Sequence, residues 1–206
     1  MSFYDRHILP RLLDCACGLG PVTKQRRKVV PLATGRVLEI GIGSGLNLAH
    51  YDPARVSTII GLDPGAELLD RARRRAARVP VPVEFLTCEG ESIPLDDESI
   101  DTVVVTYTLC SIPGVDQALA EMRRVLRPGG RLLFCEHGLA PDARVANFQR
   151  RIEPLWGRLA GGCHLTRNVP ALLRAAEFAV ELTESAYVKG VPRFAGYHFI
   201  GLARAS

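Results

Sequence analysis

The chain has 206 residues, 47% hydrophobic and 23% charged, which is the balance of an ordinary soluble globule with mass enough for a sizeable core. A formal net charge of only +4, with the basic residues dispersed over several segments, gives no indication of a nucleic-acid partner. Charges at Asp5, Arg6, Arg11 and Asp14 interrupt the amino terminus, and no apolar stretch reaches the roughly 20 residues of a membrane span, so neither a leader nor a transmembrane segment is expected.

In chain order, residues 1–34 read as a helical amino-terminal segment. Within it Cys15-Ala16-Cys17 has metal-binding residue types, but no second cysteine or histidine pair stands at zinc-site spacing. No metal is expected, and the six cysteines are expected as reduced thiols of a cytoplasmic protein. Lys24 to Lys28 and Arg71 to Arg78 read as solvated helix faces. Arg36 to Ile40 is a strand that runs into the loop Gly41-Ile42-Gly43-Ser44-Gly45, and Leu46 opens a helix. Ser57 to Asp63 is a second β-branched strand ending in an acid. A helix from Gly65 to Val79 follows, apolar at Leu68, Leu69, Ala72 and Ala76. Val83 to Thr87 and Ile100 to Tyr107 are the third and fourth strands, and the run Val103-Val104-Val105 suits a strand buried on both faces. A helix from Val115 to Leu126 stops before Arg127-Pro128-Gly129-Gly130, and Arg131 to Glu136 is the fifth strand. Val180 to Ala186 and Tyr197 to Ala203 are two further strands, joined through Lys189-Gly190-Val191-Pro192.

The alternation predicts an α/β fold in one domain over residues 1–206: a mostly parallel seven-stranded sheet with helices on both faces and a carboxyl-terminal antiparallel hairpin. Residues 138–170 are expected to form a helical insertion or a lid over the acceptor site. Ligands of such sheets sit at the carboxyl ends of the strands.

The glycine loop is the most informative of these ends. Glycines 41, 43 and 45 permit sharp turns and close backbone approach to a ligand. The dinucleotide fingerprint would need a small residue at 46, where the chain has Leu46, and places its acid after the loop. Here Glu39 precedes it, as E-x-G-x-G-x-G. That pattern resembles motif I of the Rossmann-like S-adenosyl-L-methionine (SAM) methyltransferases, in which the loop seats the methionine part. The segment Cys88 to Asp101 is similar to their G-D-A-E-x-L-P-F…D-x-S-F-D-x-V pattern, with Cys88 where glycine is usual. Arg123 to Gly130 resembles their R-V-L-(K/R)-P-G-G turn, a structural feature.

The resemblance implies SAM as cofactor and S-adenosyl-L-homocysteine as product. It implies contacts from Glu39, Gly41, Gly43, Gly45, Asp63, Pro64, Glu89, Gly90, Glu91 and Thr106, with Asp63 on the ribose hydroxyls and Glu89 on the adenine amino group. For Asp63 an N-cap role in the next helix stands beside the ribose role, and the two are compatible. Thr108 to Ile112, Glu136-His137, Asn147 to Gln149, Glu153 to Trp156 and Gly162 to Arg167 are similar in order and spacing to a narrower subgroup, whose mammalian members are thiol S-methyltransferases. Those members begin with a membrane-inserting apolar helix, which is not expected here.

A sulfonium-activated methyl group carries most of the reactivity, so the protein has chiefly to orient a nucleophile and exclude water. A thiol acceptor needs only a modest base, since a few per cent of it is already thiolate near pH 7. His137, at the end of the fifth strand, is the candidate base, with capping of a loop as the alternative; Glu136 either orients its ring or faces away. Cys110, Trp156, Cys163, His164 and Tyr4 are candidates for the acceptor side. Cys163 also reads as a packed cysteine, Trp156 with Phe148 and Leu155 as core, and His198 as a packing or edge residue. The resemblance implies that Tyr4 and His7 of the amino-terminal helix close over SAM, as often occurs in this fold. Three functions remain open: S-methylation of a small thiol or sulfide, methylation of a quinone precursor, phenol or lipid, and SAM binding without turnover.

Overall fold

A computed structural model describes residues 9–205. Seven strands form one sheet: β1 (Gly35–Ile40), β2 (Val56–Leu62), β3 (Val83–Leu86), β4 (Ile100–Thr106), β5 (Leu126–His137), β6 (Phe178–Tyr187) and β7 (Tyr197–Ala205). Their order is β3-β2-β1-β4-β5-β7-β6, with β7 antiparallel to β5 and to β6 and the other pairs parallel. The central strands are apolar on both sides because both faces are covered. On one face Leu38, Ile40, Val103, Val105, Leu132 and Phe134 share a core with α4 (Val115–Val125), whose Val115, Ala118, Leu119, Met122 and Val125 recur at helical spacing. On the other, Val37, Ile59, Val104 and Leu133 pack with Val30, Leu48 and Leu69, the last from α3 (Ala66–Ala76).

The amino-terminal segment supplies α1 (Leu9–Cys17), α2 (Gly20–Arg26) and a 3-10 turn at Val30–Leu32. The insertion is α5 (Ala143–Leu159), followed by α6 (Val169–Ala175). The hairpin connection contains one short helix, α7 (Arg193–Gly196), and Trp156 of α5 meets Phe194 of α7 edge to face, centroids 5.4 Å apart. Among the described residues no helix is long and apolar enough to cross a membrane.

Three expectations need correction. No α-helix opens at Leu46; the chain makes turns and a 3-10 helix at Leu48–His50. Buried hydrogen bonds draw Asn47 and Tyr51 inward, and Pro53 disfavours helix at the residue before it. The Arg127 to Gly130 segment is not a turn ahead of β5 but an irregular start within it: Ile100 pairs with Leu126, yet Thr102 pairs with Arg131, and Gly129 takes φ +78° where the extra residues are accommodated. Arg26, expected on a solvated face, is 5% exposed and faces the interior.

Candidate active site

The parallel strands end at Ile40, Leu62, Leu86, Thr106 and His137, along one edge of the sheet. A cavity of about 560 Å³ opens there, within the size range of small-molecule sites. Its floor is the turn after β1. Gly41 has φ +66°, and a Cβ there would overlap the Thr108 side chain; Gly43 has φ +53°, and a Cβ there would meet nothing nearer than 3.9 Å. The first glycine is required by packing and the second by backbone conformation at an open surface.

Asp63 follows β2 and lines the cavity. Its carboxylate accepts the Gly43 N–H at 2.9 Å and the Gly65 N–H at 2.8 Å, so it ties the glycine loop to the start of α3. Burial raises its pKa, against the pull of those two backbone donors. Gly41, Gly43, Pro64, Glu89, Gly90, Glu91 and Thr106 also line the cavity. Glu91 accepts the Gly114 N–H at 2.9 Å, joining this wall to the start of α4.

Glu39 and Gly45, expected among the cofactor contacts, do not reach the cavity. Glu39 is 2% exposed and points beneath the loop, where one oxygen accepts from Asn47 Nδ2 at 2.9 Å and the other from the Tyr51 hydroxyl at 2.7 Å. Asn47 in turn reaches Thr106 Oγ1 at 2.9 Å and accepts from Arg26 at 3.1 Å, while Arg26 also donates to Thr106. Burial pushes the Glu39 pKa from an ordinary 4.5 up to about 7, although Tyr51, Arg26 and Asn47 favour the carboxylate. Gly45, at φ +80°, packs against Leu48 and Ala72 under the loop.

The amino-terminal helix closes one side. Asp14 of α1 accepts from the Ser44 hydroxyl and pairs with Arg71 at 3.0 Å and Arg75 at 3.4 Å. Arg75 also donates to the Ser44 carbonyl at 2.6 Å. Leu13, Cys17 and Leu19 thereby face the cavity. Tyr4 and His7 lie outside the described residues.

The opposite end is built by three segments distant in sequence. His137 ends β5, Cys110 lies in the loop after β4, and Cys163 follows α5; all three line the cavity with Trp156. Glu136 faces away from the imidazole: its Oε1 accepts the N–H groups of Thr108 at 2.8 Å and Leu109 at 3.2 Å. Arg167 donates to the carbonyls of Leu109 and Ile112, and the His164 N–H donates to the Cys110 carbonyl at 2.8 Å. The two cysteine-bearing loops are therefore fixed to each other and to the sheet. His137 Nε2 lies 3.3 Å from Cys163 Sγ. A hydrogen bond from Cys110 holds the Cys163 thiol well below its usual range despite its burial, with His137 adding to the effect. Burial disfavours the His137 imidazolium, but the Cys163 contact outweighs it and the pKa lies above its ordinary value.

His164 does not face the cavity; its Nδ1 lies 3.0 Å from Glu153 Oε1. His198 pairs with His137 across β5 and β7, on an interior strand, so the edge alternative falls. It lines the cavity against Tyr107, centroids 5.3 Å apart, and burial with the charges of His137 and Lys28 lowers its pKa to about 3.

Arg26, Tyr107 and Thr108 are cavity residues that sequence reasoning passed over. Tyr107 and Thr108 follow the fourth strand and could have been found by the strand-end rule. Tyr107 has φ +57°, a strained conformation for a bulky residue of the kind that gathers at functional sites. Nothing local marks Arg26 or Asn47 as buried.

Comparison with known proteins agrees with this geometry. Residues 38–134 match the methyltransferase domain family. The chain is 36% identical over 145 residues to thiol S-methyltransferase TMT1B of Rattus norvegicus, 69% of this chain and 59% of that protein. It is 37% identical over 151 residues to the TMT1B protein of Homo sapiens, and it spans only 59–62% of the length of these relatives. A demethylmenaquinone methyltransferase of Thermus thermophilus is 30% identical over 180 residues, 82% of each chain. A SAM-dependent methyltransferase of Thermotoga maritima has the same fold, with TM-score 0.69, 19% identity and 98% of both chains covered. With a strand order, a glycine loop and relatives that agree, the chain belongs to the SAM-dependent methyltransferases of Rossmann-like fold.

Proposed function

We propose that this methyltransferase acts on a small thiol or sulfide. The observation that carries the acceptor reading is the His137–Cys163 pair, 3.3 Å apart on the cavity wall at the end of β5. The 35–37% identity to thiol S-methyltransferases supports it.

SAM fits the strand-end half of the cavity. An ionised carboxylate offers about four lone-pair sites. Asp63 has given one on each oxygen to Gly43 and Gly65, which leaves one on each for a pair of vicinal ribose hydroxyls. Gly41 and Gly43 would hold the methionine part, with Pro64 and Thr106 beside it, and Glu89, Gly90 and Glu91 would hold the adenine. Glu39 acts through Asn47 and Tyr51, as the support beneath the loop. When bound, SAM supplies a methyl group activated by its sulfonium charge.

The chain's own part is to admit the acceptor, take its proton and exclude water. In its neutral form His137 takes the proton at Nε2, which is fixed on a sheet strand so that its position costs no reorganisation. Leu13, Leu19, Ile112 and Trp156 make the walls apolar, which favours a reaction in which charge disappears. The amino-terminal helices within residues 9–34 and the insertion 138–170 serve as the two covers of a single catalytic domain.

A quinone precursor is the second reading, favoured by the Thermus thermophilus relative, whose match covers more of both chains than the thiol enzymes do. Purified protein, labelled SAM and a panel of thiols, sulfide, quinols, phenols and amines, with products read by mass, decide between them. S-methyl products that fall about 100-fold in His137→Ala support the proposal. Turnover of quinols or phenols alone refutes it.

A further inference from the structure

The acceptor wall holds more than a base. Cys110, His137 and Cys163 present two sulfurs and one imidazole nitrogen within 4.8 Å of one another, on the surface of the cavity. We propose that these three side chains bind a thiophilic divalent cation of the zinc class, whose fourth coordination position opens into the cavity and receives the sulfur of the acceptor.

The donor set has the composition that such an ion prefers. Zinc sites take thiolate and imidazole ligands, and catalytic ones keep three protein ligands with one position open. With Zn–S of about 2.3 Å and Zn–N of about 2.0 Å, a tetrahedral site places its donor atoms roughly 3.5–3.8 Å apart. Cys163 Sγ and His137 Nε2 are already at 3.3 Å, and the outer bound of 4.8 Å closes to that value by small side-chain rotations.

The ligands are also held as a metal site needs. His137 lies on β5, paired across the sheet with His198. The Cys110 loop is fixed by Glu136 through the Thr108 and Leu109 N–H groups and by Arg167 through the Ile112 carbonyl at 2.8 Å. The Cys163 loop is tied to it by the His164 N–H to Cys110 carbonyl bond. Supporting hydrogen bonds of this kind orient metal ligands before the ion arrives. No two ligands are near in sequence, so the set has no local metal-binding spacing of the kind Cys15-Ala16-Cys17 shows; of that pair only Cys17 borders the cavity.

The assignment rests on the thiol reading for its role and deepens it. An entering thiol R–SH forms a sulfur–metal bond as its S–H bond breaks, and the proton leaves to solvent with no electron transferred. In the metal-loaded protein coordination acidifies the thiol and His137 serves as a ligand, whereas in the metal-free protein His137 keeps its role as base. The bound sulfur stays at the wall facing the glycine loop across the cavity.

The test is metal uptake by the whole, reduced protein under anaerobic conditions, using cobalt(II) as the optical probe and zinc(II) as competitor. One equivalent of cobalt is expected, with thiolate-to-cobalt charge-transfer bands and tetrahedral d–d absorption, displaced by zinc. Cys110→Ser and Cys163→Ser should each weaken cobalt binding roughly 100-fold and remove charge-transfer intensity, whereas Cys15→Ser, an exposed residue off the cavity, should bind as the parent does. SAM affinity measured on every variant reports whether it has folded. Parent protein that binds SAM but takes up neither metal overturns the proposal, as does cobalt binding undiminished in the Cys110→Ser, Cys163→Ser double variant. Metal uptake without S-methylation of any thiol keeps the site and removes the acceptor reading. Thiol turnover at full rate after chelation keeps the acceptor reading and overturns the metal's part in it.

Discussion

Asp63→Ala removes a carboxylate that ties the glycine loop to α3 and that is proposed to hold the ribose. It accepts the Gly43 N–H at 2.9 Å and the Gly65 N–H at 2.8 Å, and it lines the cavity with one lone pair on each oxygen left to accept. Hydrogen bonds to a charged group contribute about 1.5–3 kcal/mol each, so losing two to the ribose costs about 3–6 kcal/mol of SAM binding. Water entering the vacated space offsets part of this, which favours the lower end, a weakening of roughly 100-fold at about 1.4 kcal/mol per tenfold. Titration calorimetry with S-adenosyl-L-homocysteine reads the affinity, and urea unfolding reads the separate effect on the loop. Asp63→Asn should fall between parent and alanine variant, because it keeps the volume and one acceptor oxygen but turns an N–H donor toward a backbone donor. Affinity unchanged in a folded Asp63→Ala protein would refute both the ribose assignment and the lone-pair count behind it.

Glu39 gives a pH signature. Its folded pKa of about 7 lies above the ordinary 4.5, so between those values the folded state keeps a proton that the unfolded chain has released. Stability therefore falls as pH rises through that window, by about 3 kcal/mol in all, and Glu39→Gln should flatten this part of the urea-midpoint profile between pH 5 and 8. An identical slope in the variant would contradict the burial argument. At the loop, Gly41→Ala should destabilise more than Gly43→Ala, since both meet the left-handed penalty of about 1–2 kcal/mol but only the first collides with Thr108. Thermal melts that rank the two in the opposite order would show that loop packing has been misjudged. Arg26→Met leaves the Asn47 Oδ1 acceptor buried without its donor and takes a guanidinium from above the Tyr107 ring, 4.8 Å from its centroid. A loss of about 2 kcal/mol or more is expected by urea unfolding, and a neutral result would place Arg26 on the solvated face first expected of it.

Much of this molecule is legible in one dimension. The Val103-Val104-Val105 run, the β-branched stretch before Asp63 and the glycine loop are local patterns, and local patterns report periodicity and backbone conformation directly. They set the strands, the glycine-loop end of the cavity and the antiparallel hairpin. Boundaries failed where a distant contact overrode propensity: Asn47 and Tyr51 bend the chain inward after the loop because Glu39, Thr106 and Arg26 await them. The end of the cavity around His137 was least legible. His137 could be named from its strand end, but its partner Cys163 is 26 residues away, and Cys110 reaches the same point from another loop. The direction of Glu136 depends on where the backbone of Thr108 and Leu109 lies. Strand order and side-chain burial bring these groups together, and such contacts leave no periodic trace because their energy depends on separation in space rather than along the chain.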